Sequence, residues 1–185
     1  MRSALSKNDI LRLLHALNDE LRVAGVKGHV QMAGGAVMYL AFDACASTRD
    51  VGVLFKPSVA VLSAALRVAA KEGVRDTWLN DAVKRYVSDR GSFEPYLELS
   101  NLKIFCASAE YMLAMKCLAM CIGEGDHDEE DIRYLLRNLN IQRYTDAEEI
   151  LGRYYALEAF PEPALAALRE LLPDRLGRSV PCRPC

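Results

Sequence analysis

Residues 34–55 read GGAVMYLAFDACASTRDVGVLF, and three features in that order decide the fold: a glycine pair, an apolar run, and a strand entered through an aspartate. A short strand near Val30 to Met32 precedes Gly34–Gly35, and an apolar helix is expected from Ala36 to Phe42. Glycines between a strand and a helix let another group approach the backbone, and the helix start offers free N–H groups to phosphate oxygens. Alone, such a pair reads first as a tight connection. Val51, Val53 and Phe55 then alternate with Asp50, Gly52 and Leu54, which predicts a strand stopped by Pro57. Along it Thr48, Asp50 and Gly52 share one face. Two carboxylates at that i, i+2 spacing would hold one pair of Mg2+ ions and stabilise both the attacking and leaving oxygens of a phosphoryl transfer. This chain supplies Asp50 and then a glycine, and a lone aspartate at a strand start also serves as a turn or cap residue.

Toward the N-terminus, Ser6 caps an expected helix from Lys7 to Ala24, with Asp9 in its first turn and a core stripe of Ile10, Leu13, Leu14, Leu17 and Leu21. Past Pro57 a helix is expected from Val59 to Glu72 and partial helix from Asp76 to Asp89. Tyr96–Leu99 and Leu102–Phe105 form a hairpin around Ser100–Asn101. From Ser108 onward the pattern is helical: Ala109 to Ile122, Asp128 to Leu139, a helix opened by a Thr145/Glu148 capping box, and a last one introduced by Pro161 and Pro163 and ending near Leu172. The expected organisation is therefore an α/β core over residues 1–107, a helical part over 108–172 packed on it, and a loose tail over 173–185.

Composition sets the class. The 185 residues are 51% apolar and 26% charged, as in an ordinary globular protein, and a net charge of −2 gives no general attraction to nucleic acid. No apolar run reaches the roughly 20 residues that cross a membrane, and polar residues interrupt the N-terminal MRSALSKNDILRLL where a secretory signal needs an apolar core. A cytoplasmic protein with no membrane partner is the expectation. Cys45, Cys106, Cys117 and Cys121 lie in apolar segments and read as small hydrophobes, and the Cys182/Cys185 pair reads as an incidental thiol pair on the tail.

Two further constellations carry chemistry. From Tyr111 to Ile122 eleven of twelve residues are apolar and the twelfth is Lys116. A lysine so enclosed must snorkel to water, meet a carboxylate, or face a cleft holding phosphate. Asp50 and Asp131 are its candidate partners. On the next helix Asp128 and Asp131 share one stripe with Ile132, Leu135, Leu136 and Leu139. Both aspartates fit dipole compensation at a helix start, and Asp131 is the better placed to meet Lys116 or a ligand.

The glycine pair, the TRDVG strand entry, WLNDAV (78–83), SAEYMLAMKCLAM (108–120) and DEEDIRYLL (128–136) together resemble small bacterial nucleotidyltransferase-fold proteins, relatives of the abortive-infection and toxin–antitoxin nucleotidyltransferases. The resemblance covers about residues 10 to 140. It implies an α/β (α+β) nucleotidyltransferase-type fold: a mixed sheet flanked by helices with a helical C-terminal part. It further implies that Gly34, Gly35, Thr48 and Lys116 contact an NTP, that Asp50, Lys116 and Asp131 are catalytic, and that Asp50 binds Mg2+ with Glu98 as a weaker third carboxylate. Three positions depart from the pattern. Gly52 stands where the family has its second aspartate, and Cys45 and Cys121 stand where arginines are expected.

Two functions remain open on these residues. One is a Mg2+-dependent nucleotidyltransferase acting on RNA, protein or a small molecule, toxin-like and paired with a cognate antitoxin or partner protein. The other is a catalytically impaired homologue that works by binding nucleotide or protein.

Overall fold

The computed structural model describes residues 4–42, 48, 50–120 and 127–172. The expected tail at 173–185, with its Cys182/Cys185 pair, lies outside the described residues, as do Cys45 and Cys121. The element order is α1 (Lys7–Val23), β1 (Gly28–Ala33), α2 (Gly35–Leu40), β2 (Val51–Lys56), α3 (Ser58–Glu72) and β3 (Leu79–Asn80). A 3-10 turn (Ala82–Tyr86) follows, then β4 (Phe93–Glu98), β5 (Leu102–Ala107), α4 (Ala109–Ala119), α5 (His127–Asn138), α6 (Tyr144–Tyr154) and α7 (Glu162–Leu171).

The five strands form one mixed sheet in the order β3-β2-β1-β5-β4. The strand entered through Asp50 does lie beside the strand leading into the glycine pair: β1 and β2 are antiparallel, with Met32 opposite Val53 and Ala33 opposite Gly52. β5 runs parallel to β1, and the β4–β5 hairpin closes the sheet's other edge. This register gives the sheet two unlike faces. Val30 and Met32, Val51 and Val53, and Leu102, Ile104 and Cys106 are all buried, under α1 and α3. On the opposite face His29, Lys56 and Lys103 are exposed and Gln31, Leu54 and Phe105 are half-buried.

Local chemistry sets the helix ends. Ser6 Oγ accepts from the Asp9 amide while the Asp9 carboxylate accepts from the Ser6 amide, so α1 begins with a reciprocal capping box. The five apolar residues expected on its inner stripe are all fully buried, each worth roughly 1.5–3 kcal/mol of transfer free energy. Asn18, also buried, accepts from the Asn101 amide at 2.8 Å and so fastens the β4–β5 turn to α1. No helix among the described residues is long and apolar enough to cross a membrane.

One local expectation is met with an addition and one is corrected. The stretch from Asp76 to Asp89 is helical in part, at the 3-10 turn, and also contains a strand, β3. Two residues of weak propensity pair there with Val51 and Gly52 because Trp78, buried under α3, donates its indole N–H to the Ala65 carbonyl at 3.1 Å and holds the chain alongside β2. The helix expected to open on a Thr145/Glu148 box instead begins at Tyr144. Arg143 is its cap position and pairs with Asp146 at 2.5 Å, and Glu148 is engaged by the Tyr144 hydroxyl.

Candidate functional site

The chain leaves β1 through Gly34, whose φ of 77° and ψ of −153° lie in a region essentially reserved for glycine. It then enters α2 at Gly35. A Cβ at Gly35 would come 3.3 Å from Thr48 Oγ1, and that hydroxyl donates to the Asp50 carbonyl at 2.9 Å. Gly34, Gly35, Thr48 and Asp50 therefore meet at one end of the β1–β2 pair, as the sequence pattern implies. Gly35 and Asp50 are exposed, and the Asp50 carboxylate has no hydrogen bond or ion pair among the described residues.

Gly52 is different. It lies on the same face as Asp50, but a Cβ there would fall 2.6 Å from Val83 Cγ1, and a Cβ at Gly34 would fall 3.6 Å from the same methyl. The cause is the 3-10 turn. After β3 the Asn80 side chain accepts from the Ala82 amide at 3.0 Å and turns the chain across the open face of β2. Val83 thereby occupies the space into which a side chain at position 52 would project.

Lys116 sits on α4, which Ser108 caps by accepting from the Tyr111 amide at 3.3 Å. Tyr111 to Met115 and Cys117 are buried around it. Its ammonium meets Asp128 Oδ1 at 2.7 Å and Asp131 Oδ2 at 2.6 Å. Of the two expected partners, Asp131 meets Lys116 and Asp50 does not; Asp128 shares the ammonium with Asp131. Burial, the largest single influence, works to lower the Lys116 pKa, but attraction to Asp131 and the hydrogen bonds that the ammonium donates to both aspartates outweigh it and raise the value above the ordinary 10.5. With side-chain exposures of 13%, 20% and 6%, the triad is a largely buried cluster in which two carboxylates share one ammonium. α5 is held nearby by Tyr134, whose hydroxyl donates to the Phe42 carbonyl just past α2.

Glu98 is corrected as a metal ligand. It ends β4, pairs with Lys103 at 2.6 Å, and Lys103 lies level with His29 and Lys56. That is the far end of the sheet from Asp50, about 20 Å of extended chain away along β2. The hydrogen bond from Lys103 and its charge lower the Glu98 pKa. A two-carboxylate Mg2+ pair therefore does not fit the residues present: Asp50 has no partner at position 52, a methyl group fills that place, and Glu98 is elsewhere. Among the described residues no group of three or more His, Cys, Asp or Glu side chains is arranged to hold a metal ion.

A feature missed in the sequence lies farther along the open face. A groove of about 640 Å3 is lined by His29 and Gln31 of β1, Leu54, Phe55 and Lys56 of β2, Ser58, Asp81 at the start of the 3-10 turn and Lys84 within it. The signal was present in GHVQMA (28–33), where His29 and Gln31 alternate with Val30 and Met32, the pattern of a strand with one wet face. The buried thiols are inert by contrast: desolvation, aided by Glu94 for Cys106 and Asp128 for Cys117, pushes both up to about 12. Comparison with protein-family models, curated proteins and solved structures returned no match.

Proposed function

We propose that this chain is a nucleotidyltransferase-type protein that acts by binding rather than by turnover, the impaired homologue of the two readings open on its sequence. The observation that carries this is the Val83 methyl standing where a second metal-binding carboxylate would have to project from position 52. A transferase of the resembled type needs two anionic ligands at the i, i+2 positions to clamp the reacting oxygens. Here one carboxylate remains, beside exposed Gly35 and half-buried Thr48. In this reading a nucleotide triphosphate approaches the backbone at Gly34–Gly35 with Asp50 at its edge, and the Lys116–Asp128–Asp131 cluster braces α4 against α5 instead of supplying charge to the phosphates. A protein acceptor or cognate partner, including an antitoxin-like one, then responds to occupancy and not to a transferred group.

An active enzyme is the second reading, favoured by the meeting of Lys116 with Asp131 that the resemblance implies. Titration of the protein with ATP by calorimetry, once with Mg2+ and once with EDTA, separates the two. Binding by a site lacking a metal pair changes less than threefold between the conditions, whereas a tenfold or greater gain with Mg2+ overturns the binding-only reading.

A further inference from the structure

We infer that the groove on the open sheet face is a second, separate ligand site that takes a ribonucleotide phosphate. The rings of His29 and Phe105 stack with centroids 4.6 Å apart and 17° between planes. His29 lines the groove and Phe105 does not, so the imidazole forms part of the groove wall while the phenyl ring stacks on it from outside the lining. A planar heteroaromatic base sliding in there extends an existing stack at little entropic cost, a contact worth roughly 1–3 kcal/mol. The groove's two cations, Lys56 and Lys84, are both exposed and neither makes an ion pair or side-chain hydrogen bond among the described residues, so both are available to a phosphate. Lys103, by contrast, is committed to Glu98. Gln31 offers a donor and an acceptor to a base edge, and Asp81 offers an acceptor suited to a ribose hydroxyl, which also disfavours an all-anionic ligand such as polyphosphate. A volume of about 640 Å3 is within the range of small-molecule sites and accommodates one nucleotide.

The groove extends away from the Gly34–Asp50 end: its near wall, Gln31 and Lys84, adjoins the Ala33 and Val83 that border Gly52, and its far wall lies farther along the sheet. Its Lys56 is six residues beyond Asp50 along β2, about 20 Å of extended chain. The inference therefore stands independently of whether the chain turns over nucleotide at that other end.

The ligand is either a free nucleotide or one residue of an RNA strand, and the full-length protein distinguishes them. Calorimetry with 5′-AMP and adenosine, and fluorescence anisotropy with a labelled adenylate RNA hexamer, are run on wild type, His29→Ala, His29→Tyr and the double variant Lys56→Gln/Lys84→Gln. All three positions are exposed, and thermal melting checks that each variant folds. The expected results are AMP binding at least tenfold tighter than adenosine, loss of tenfold or more in the lysine double variant, and loss of about fivefold or more in His29→Ala. His29→Tyr, which keeps a stacking ring, retains the affinity. A hexamer binding tenfold tighter than AMP, with a log K against log salt slope of about −1.4 for two phosphates, identifies a strand as the source. Equal affinities identify the free nucleotide. Absence of binding by both AMP and the hexamer overturns the inference. So does AMP binding unchanged in the lysine double variant, which would locate the nucleotide elsewhere and leave the reading of the Gly34–Asp50 end untouched.

Discussion

Replacing Gly52 by alanine isolates the contact on which the functional reading rests. Gly52 does not have a positive φ, so an alanine is allowed by the backbone. In a strand interior Gly→Ala ordinarily stabilises by about 0.5–1 kcal/mol, because the glycine's extra freedom in the unfolded chain is removed. Here the new Cβ would stand 2.6 Å from Val83 Cγ1, about 1 Å inside the normal carbon–carbon separation. Valine is stiff at χ1, so relief requires a different rotamer or a shift of the 3-10 turn, at the roughly 1–3 kcal/mol typical of overpacking. The net expectation is a destabilisation of about 1–2 kcal/mol, or a fall of roughly 2–8 °C in Tm for a chain of this size. Val83→Ala removes the offending methyl, and on that background Gly52→Ala becomes neutral or stabilising. A double-mutant cycle by urea unfolding should give a coupling of about 2 kcal/mol. Stabilisation by Gly52→Ala in the wild-type background, or coupling below about 0.5 kcal/mol, would show that Val83 does not fill this space.

Other consequences follow from the charged and buried groups. Lys116→Met removes the ammonium that Asp128 and Asp131 share, and should cost about 3–5 kcal/mol near neutral pH. The loss shrinks in acid as the aspartates protonate, and urea titrations at several pH values follow it. The raised Lys116 pKa adds an alkaline signature: its stabilisation is complete below the ordinary value of 10.5 and is lost as pH rises from there through the folded-state value, so wild type converges on the Met variant at high pH. Glu20 accepts from Lys71 and Arg67, which lower its pKa. Glu20→Gln should therefore be less stable than wild type above the ordinary glutamate value of 4.5, and the difference should vanish as pH falls through the depressed one. Cys106 and Cys117, with thiols raised to about 12, should resist iodoacetamide at pH 8 in the folded protein and react on unfolding, read by peptide mass spectrometry.

What was legible in the sequence was what local pattern decides. Alternation in DVGVLF placed Val51 and Val53 inward and Asp50 and Gly52 outward, and the lone charge among eleven apolar residues marked Lys116 as needing a carboxylate. What was illegible depended on return paths through space. Glu98 reads as a third carboxylate only until the parallel β1–β5 register carries the hairpin turn to the opposite end of the sheet. Val83 is an ordinary valine until the pairing of Leu79–Asn80 with β2 and the turn at Asn80 bring it over Gly52. β3 itself has two residues, too few for any periodicity, and exists because Trp78 is anchored. The groove combines β1, β2 and the 3-10 turn, elements joined only by tertiary structure.

The central claim is that a chain with one carboxylate and a methyl group in place of the second binds nucleotide without transferring it. Its most direct test is incubation of the full-length protein with each α-labelled NTP and Mg2+ over total RNA and total protein, followed by electrophoresis. The account predicts no label on either acceptor pool at levels above a protein-free control. Label that appears with the wild-type chain and disappears with Asp50→Asn would contradict it and establish a working transferase built on a single strand aspartate.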